Sequence, residues 1–391
     1  MDYDPLAPEV QENPYPYYAT LRQHHPVAWI EPLRCWTISR YQDVDYAIKN
    51  PQVFSSAKWI GQSLGDLNPA PEVPWMIETD PPDHTRLRRL VSKAFTPRMV
   101  NLLEPRVRAI ADQLLEPLRK REFDFVHEFS GVLPVIVIAE MLGVESEHYA
   151  EFQRWSDNVV RGTSRPGDEA ERTEIRQSND EMRAYFQKAI ALRRKEPHSD
   201  LLTALVQAEE ERQALSADEV LAMAMLILLA GNETTRNLLG NATLALLAQP
   251  AVLAKVRNDR SLVPQLIEEV LRYDSPVQIV FRRTTKAIDV SGMAIPADAA
   301  VFVLLGSANR DERKFSDPDR LDIQRDNGDH LAFGFSTHYC LGAQLARLEA
   351  KVALEELLFS CPPFVGGTGP VPRVRSVLIR GIQSLPLRFT A

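Results

Sequence analysis

The chain has 391 residues, of which 45% are hydrophobic and 25% are charged, and its formal net charge is −8. This composition is typical of a folded globular protein, and the negative charge argues against nucleic acid or an anionic membrane surface as a partner. The length would allow two average domains, but we find no internal repeat and no flexible linker. We therefore expect one domain over residues 1–391.

The termini, apolar runs and cysteines predict the compartment. Residues 1–18 are acidic and contain several prolines, so they do not resemble a secretory signal peptide. The longest apolar run, 221–230, is about half as long as a membrane-spanning helix. Cys35, Cys340 and Cys361 are widely spaced, which predicts no disulfide framework. Together these features predict a cytoplasmic protein that does not associate with membranes. We also expect the protein to be a monomer.

Most of the chain has the apolar spacing of helices. Thr96 followed by proline is a typical helix start and predicts a helix that continues to about Lys120. Ser216 and Glu219 form a capping-box pattern at the start of the longest helix, which a Gln-Pro pair at 249–250 should end. Because this helix is apolar on nearly all sides in its first half, it should cross the core.

Strand-like patterns cluster in three places, and each is interrupted by glycine or proline turn signals. They are residues 28–39, 277–305 and 371–390. Many helices with a few small, separate sheets predict a mainly α architecture of the α+β class.

One loop carries the most chemical information. Residues 333–342 (FGFSTHYCLG) directly precede a sequence that forms helix well, which puts Cys340 at a helix N-terminus. Unpaired N–H groups and the helix dipole there should lower the pKa of the thiol, and Gly342 lets the backbone approach whatever the sulfur holds. A thiolate nucleophile or metal ligand follows. The alternatives are an inert buried cysteine and a zinc site with His338, which would have too few ligands.

The loop resembles the haem-binding signature of the cytochrome P-450 family, Phe-Gly-x-Gly-x-His-x-Cys-x-Gly, from Phe333 to Gly342. The resemblance implies that the chain binds haem b with Cys340 as the axial ligand of the iron. It also implies the family's fold, in which a long central helix crosses the core over a buried haem. Ser336 stands where the family has glycine. If φ is positive at this position, a residue other than glycine lowers the stability of the folded loop by about 1–2 kcal/mol.

A second motif, 230–235 (AGNETT), lies midway along the longest helix and is similar to the family's oxygen-activation motif. A glycine and a carboxylate are unfavourable inside an apolar helix unless they are paired or functional. The resemblance implies that Glu233 and Thr234 relay protons, that Gly231 opens the groove where dioxygen sits, and that Ala230 contacts the haem. A kinked helix with a salt-bridged Glu233 is the alternative.

A third set of residues suits the two propionates of haem. His84 and Arg88 lie four residues apart on one helix face, and such a cationic pair can bind a buried carboxylate. The resemblance assigns these two residues, Arg282 and His338 to the propionates. The adjacent Arg283 leaves the choice between positions 282 and 283 open.

Glu269 and Arg272 match the family's Glu-x-x-Arg pair. Their spacing of three places them on one helix face. In isolation such a pair is usually a solvated salt bridge, and the resemblance gives it a structural role near the cysteine loop.

The resemblance covers nearly the whole chain. It implies a soluble, bacterial-type haem-thiolate monooxygenase that inserts one atom of O2 into a hydrophobic small molecule, such as a terpenoid, steroid, fatty acid or polyketide of secondary metabolism. The sequence has no flavin or iron–sulfur motif, so the electrons should come from a separate ferredoxin or flavodoxin with its reductase. A non-catalytic haem-thiolate sensor and a peroxide-driven hydroxylase are the alternatives, and neither needs the Glu233-Thr234 pair.

Partner and substrate surfaces are less well defined. Arg86, Arg89 and Lys93 share a helix face that is either a basic dock for an acidic electron donor or simply solvated. By family position, the substrate pocket should draw on residues 59–76, 155–175, 226–230, 277–280 and 377–382.

Overall fold

The computed structural model describes residues 3–57, 59, 64–163, 168–210, 215–326 and 328–390. In these ranges the helices are α1 (Pro8–Glu12), α2 (Tyr15–His24), α3 (Tyr41–Lys49), α4 (Asp83–Ser92), α5 (Pro97–Asn101), α6 (Glu104–Leu115), α7 (Val132–Leu142), α8 (Tyr149–Thr163), α9 (Glu169–Lys195), α10 (Leu201–Glu210), α11 (Ala217–Ala248), α12 (Pro250–Asn258), α13 (Val263–Tyr273), α14 (Leu305–Ala308) and α15 (Ala343–Glu355). The strands are β1 (Val27–Ile30), β2 (Cys35–Ile38), β3 (Phe54–Ser55), β4 (Glu122–Asp124), β5 (Ile279–Thr284), β6 (Ile288–Val290), β7 (Met293–Ile295), β8 (Ala300–Leu304), β9 (Phe364–Gly366) and β10 (Pro386–Phe389).

The central element is α11, and it confirms the prediction from the capping box. The Ser216 hydroxyl accepts the Glu219 N–H at 3.1 Å, while the Glu219 carboxylate accepts the Ser216 N–H at 2.7 Å. The helix has 32 residues, which makes it about 48 Å long at a rise of 1.5 Å per residue. Its side chains from Val220 to Leu228 are buried, so the helix crosses the core as expected.

The helix predicted to start at Thr96 is interrupted. The Thr96 hydroxyl accepts the Met99 N–H, as a helix cap should. However, α5 ends at Asn101 and α6 begins at Glu104, and a 3₁₀ segment completes the path to Lys120. The break has a local cause, because Pro105 has no N–H to donate to the Asn101 carbonyl and its ring crowds the preceding turn.

The strand predictions are confirmed in two places and partly in the third. The largest sheet has the order β1-β2-β8-β5-β3, with β1 and β2 antiparallel and β2 and β8 parallel. A separate hairpin, β6–β7, turns at Ser291 and Gly292, both of which have positive φ. The C-terminal region contributes β10 to a sheet with β4 and β9, whereas its earlier part forms only isolated bridges such as Arg373 with Ile382.

The Glu269–Arg272 pair has the structural role that the sequence suggested. Both side chains are inaccessible to solvent, and the Arg272 guanidinium donates two hydrogen bonds of 2.8 Å to the Glu269 carboxylate. It also donates to the backbone carbonyls of Asn309, Pro318 and Arg320 at 2.9, 2.8 and 3.1 Å. One guanidinium therefore fastens the irregular segment 309–320 to α13.

In the part of the chain that the structure describes, no single helix is long and apolar enough to span a membrane. By length and composition α11 and α12 pass together, but they are bent by 107° where they meet. All three cysteines are free thiols.

Candidate active site

A cavity of about 280 Å³ lies between α11, α15, β5 and the cysteine loop. A water molecule takes up about 30 Å³ in the liquid, so the cavity would hold roughly nine waters and is much larger than a packing defect. Most of its wall is apolar, and Trp59 stacks on Phe281 with 4.8 Å between the ring centroids. The ionisable side chains that line it are His84, Arg88, Arg282, His338, Tyr339, Cys340 and Glu349.

Backbone hydrogen bonds fix the cysteine loop at the floor of this cavity. The Cys340 N–H donates to the Phe333 carbonyl at 2.9 Å, and Gly342 is the N-cap of α15. The Arg347 guanidinium lies 4.5 Å from the centre of the Phe333 ring. Ser336 has φ +59°, so a residue other than glycine does occupy a left-handed position, at a cost of about 1–2 kcal/mol.

The prediction that Cys340 has a lowered pKa is wrong for the thiol by itself. Burial raises its pKa, and this effect outweighs the lowering effects of the Gly342 N–H and of the Arg88 and Arg347 charges. A helix N-terminus therefore does not suffice to ionise this sulfur. A thiolate would need a cation bound directly to it, since a coordinated thiol loses its proton.

Four basic side chains converge on one side of the cavity. The His84 and His338 rings lie 4.3 Å apart, and His338 Nε2 has no hydrogen-bond partner among the described residues. Arg88 donates to the Thr337 carbonyl at 3.3 Å and Arg282 donates to the Phe281 carbonyl at 2.6 Å. Burial lowers the pKa of His84 to about 4, of His338 to about 3 and of Arg282 to about 10. The cluster favours an anionic group.

The structure also distinguishes the two adjacent arginines. Arg282 lines the cavity, whereas Arg283 forms an ion pair with Asp298 at 2.6 Å. Neighbouring residues of a strand point to opposite faces, so only one of the two can face the cavity.

Four residues of the α11 motif line the cavity: Ala230, Gly231, Thr234 and Thr235. The Thr234 hydroxyl donates to the Ala230 carbonyl at 2.9 Å, as threonines in bent helices do. A Cβ atom at position 231 would lie 3.1 Å from the Ile138 side chain, so the glycine also lets α7 pack closely against α11.

Glu233 occupies a different environment from Thr234. It is not among the residues that line the cavity, and its carboxylate accepts a hydrogen bond of 3.1 Å from Arg236. Burial raises the pKa of Glu233 well above its usual range, and the Asp157 charge raises it further while Arg236 lowers it. The salt-bridged glutamate that the sequence offered as an alternative is therefore present.

Comparison with known proteins places this arrangement in a family. Residues 168–370 match the family model described as Cytochrome P-450. The chain is 44% identical to cytochrome P-450 107B1 of Saccharopolyspora erythraea over 95% of its own length and 94% of that protein. The chain belongs to the cytochrome P-450 family. It is also 40% identical to the vitamin D(3) 25-hydroxylase of Pseudonocardia autotrophica, over 96% of this chain and 94% of the relative.

A solved cytochrome P-450 structure confirms the predicted fold. The chain superimposes on CYP109E1 from Bacillus megaterium in complex with testosterone with a TM-score of 0.90. The match has 35% sequence identity and covers 98% of this chain and 100% of the other. As a cytochrome P-450, the protein is an oxygenase that binds haem b through a cysteine thiolate and uses O2, a hydrophobic substrate and redox partners.

The residues around the cavity of this P-450 fit that cofactor. Among the described residues no group of three or more His, Cys, Asp or Glu side chains could hold a metal ion, so a metal at Cys340 has to bring further ligands with it. A porphyrin brings four nitrogens, and its two propionates would supply the carboxylates that the basic cluster lacks.

One ionisable residue of this P-450 cavity was missed by the sequence interpretation. Glu349 lies nine residues after the cysteine and lines the cavity from α15 with 1% of its surface exposed. Its carboxyl oxygen Oε2 has no hydrogen-bond partner in the described ranges. The signal was available, because Glu349 shares the buried helix face of Leu345 and Val352 at spacings of four and three.

The expected substrate-pocket segments of this P-450 are confirmed in part. Trp59 and Met76 line the cavity, as do residues of 226–230 and 277–280, although residues 60–63 lie outside the described ranges. No described residue of 155–175 or of 377–382 lines it, and residues 164–167 are again outside the description.

Proposed function

We propose that the chain is a monooxygenase that hydroxylates or epoxidises an apolar small molecule, with steroids as the first class to test. The observation that carries the proposal is the division of one cavity into two chemical regions. Its basic side chains gather where the propionates would lie, while Trp59, Phe281 and aliphatic side chains form the remaining wall. Two relatives support this class: one is a vitamin D(3) 25-hydroxylase, and the other, CYP109E1, has been solved in complex with testosterone.

The protein's own groups would act in three ways. Cys340 would hold the haem iron, and His84, Arg88, Arg282 and His338 would bind the propionates. When bound, haem supplies the centre at which O2 is reduced and one oxygen atom is transferred, and a thiolate ligand favours O–O cleavage. Ala230 and Gly231 would leave room above the cofactor, and the apolar wall would exclude water from the substrate.

Glu233 and Thr234 would deliver protons during oxygen reduction. The raised pKa of Glu233 keeps a proton on its carboxyl near neutral pH, as a general acid requires. To pass that proton to the Thr234 hydroxyl, the Glu233 side chain would turn away from α8 and towards the cavity. The Thr234 hydroxyl would exchange its bond to the Ala230 carbonyl for one directed into the cavity.

Three measurements test the proposal. Carbon monoxide added to the reduced protein should give the strongly red-shifted band of thiolate-ligated haem, and Cys340→Ser should abolish that band. In titrations with steroids, fatty acids and macrolactones, the haem absorbance should shift as the compound displaces iron-bound water, and steroids should bind most tightly. Thr234→Ala should lower product formed per electron consumed by about tenfold or more, because a proton-relay group contributes 10²–10⁴-fold. Unchanged coupling in that variant would contradict the relay.

We further propose that the electrons come from a ferredoxin or flavodoxin with its reductase. Arg86 forms an ion pair with Glu219, so the basic dock considered from the sequence reduces to the exposed residues Arg89 and Lys93. Reduction of the haem by each donor, measured against ionic strength, tests both the donor class and the charge of the dock.

We also propose that the chain forms a single, monomeric domain in the cytoplasm. In support, α11 packs against elements that range from α7 to α15, and the three free cysteines fit a reducing compartment. Size-exclusion chromatography with light scattering would test the monomer.

A further inference from the structure

Two carboxylates and one guanidinium form a continuous group between α8 and α11. Arg236 Nη1 donates hydrogen bonds to Asp157 Oδ1 at 2.7 Å and to Glu233 Oε1 at 3.1 Å. The exposed fraction of the side chain falls from 38% at Asp157 to 11% at Arg236 and 5% at Glu233. The group therefore runs from the solvent to the interior of the long helix.

The charges in this group favour the retention of one proton. Two carboxylates face a single guanidinium, and the Asp157 charge and its hydrogen bond raise the pKa of Glu233. Two uncharged residues also lie close to the guanidinium, because a Cβ atom on Gly131 would be 3.5 Å from Arg236 Nε and 3.4 Å from Gln153 Nε2. Other charged side chains of α8 are paired elsewhere, Arg154 with Glu181 and Arg161 with Glu171 and Glu174 of α9.

The position of Glu233 does not explain how this residue regains a proton after it has released one. Thr234 lines the cavity but Glu233 does not. Once Glu233 has passed a proton inward to Thr234, it therefore has no direct contact with the cavity from which to regain one. On its other side Glu233 is hydrogen bonded to Asp157, which is in contact with solvent. Because the Asp157 carboxyl is both exposed to solvent and hydrogen bonded to Glu233, it can exchange protons with water and with Glu233.

We propose that Asp157 is the solvent-side entry of the proton path and that Arg236 is a positioning residue that holds the two carboxyls together. This inference rests on the proposed role of Glu233 as a general acid. In one cycle, Asp157 takes a proton from water and passes it across the hydrogen bond to Glu233 as Glu233 releases its own proton towards Thr234. The result is the transfer of one proton from solvent to the cavity, and the group returns to its starting protonation.

The first test measures the carboxyl itself, independently of turnover. An infrared titration of the CO-bound protein would follow the protonated-carboxyl band that Glu233→Gln removes. Asp157→Asn should lower the pKa reported by this band, because it removes a negative neighbour. Arg236→Gln should raise that pKa, because it removes the positive one. Glu174→Gln is the matched control: it removes a carboxylate that pairs with an α8 arginine, and it should leave the band unchanged.

The second test measures delivery. Asp157→Asn should slow O2-driven product formation about tenfold, raise the solvent deuterium isotope effect and alter the pH profile. Product formation from added hydrogen peroxide, which brings its own two protons, should be unchanged. Loss of the peroxide reaction would indicate structural damage and contradict the inference, as would equal O2-driven rates in wild type and Asp157→Asn. If Glu233→Gln impairs O2-driven turnover while Asp157→Asn does not, Asp157 is not the proton entry and Glu233 keeps its role as the general acid. If neither substitution impairs turnover, both assignments are wrong.

Discussion

Glu349 allows a quantitative test of the cavity's electrostatics. Its carboxyl is fully buried beside the cavity, and desolvation raises its pKa from 4.5 to about 8. The substitution Glu349→Gln keeps the shape of the side chain but removes the ionisable group. The comparison therefore isolates the free energy of placing an ionisable acid at this position.

The sign of the effect follows from proton binding. Below pH 4.5 the carboxyl is neutral in the folded and unfolded chains, so its ionisation costs nothing. Between pH 4.5 and pH 8 only the folded chain holds the proton, and stability falls by about 1.4 kcal/mol per pH unit. The loss reaches about 3 kcal/mol at pH 7 and levels off above pH 8. Relative to wild type, Glu349→Gln should therefore gain stability over this window.

The assay is urea unfolding at a series of pH values, followed by circular dichroism and by haem absorbance. Glu355→Gln is a matched control on the same helix, because its carboxylate pairs with Arg108 and Arg260 and its loss should give no gain in stability as the pH rises. A stability difference between Glu349→Gln and wild type that stays constant from pH 5 to pH 8 would refute the reasoning. It would mean that the carboxyl is already ionised or well hydrated in the folded protein.

Three further predictions concern the haem cradle and its support. Arg282→Met should speed the transfer of haem to a scavenger protein by about tenfold, corresponding to roughly 1.4 kcal/mol of lost propionate binding, and a transfer rate equal to wild type would exclude the contact. Arg272→Met removes the bidentate guanidinium from the buried Glu269 carboxylate, which keeps the Asp322 N–H at 2.7 Å and Arg325 at 3.4 Å as partners, and should lower the free energy of unfolding by about 3 kcal/mol, as measured by urea denaturation. Ser336→Gly relieves a left-handed residue at φ +59° but also gives the unfolded chain more conformational freedom, so it should raise the melting midpoint by an amount equivalent to up to about 1 kcal/mol, which differential scanning calorimetry would detect.

Much of the fold could be predicted because local signals and tertiary packing agree. The capping box at Ser216 and Glu219 defines the start of α11, and the turn residues of the hairpins occur where the chain reverses. The helix after Thr96 shows the limit of this reasoning, because the apolar spacing continues through Leu102 and Leu103 although Pro105 interrupts the hydrogen bonding. Pro105, rather than the apolar spacing, indicates where the helix is interrupted between α5 and α6.

At the site, the motifs predicted which residues meet but not how each is oriented. The sequence placed Glu233 and Thr234 side by side on α11, whereas their environments depend on α8, which brings Asp157 to one of them only. The choice between Arg282 and Arg283 likewise depended on which face of β5 meets the cavity. The thiol pKa was misjudged for the same reason, since the helix N-terminus is local whereas desolvation is set by the whole fold.

The fastening of residues 309–320 by Arg272 has a consequence for assembly. The bonds that hold this segment join protein groups to protein groups, namely one carboxylate and three backbone carbonyls on one guanidinium. None of them needs the cofactor, so the framework that leads into the cysteine loop can be complete before haem arrives. Haem would then bind to a site whose supporting backbone is already in place.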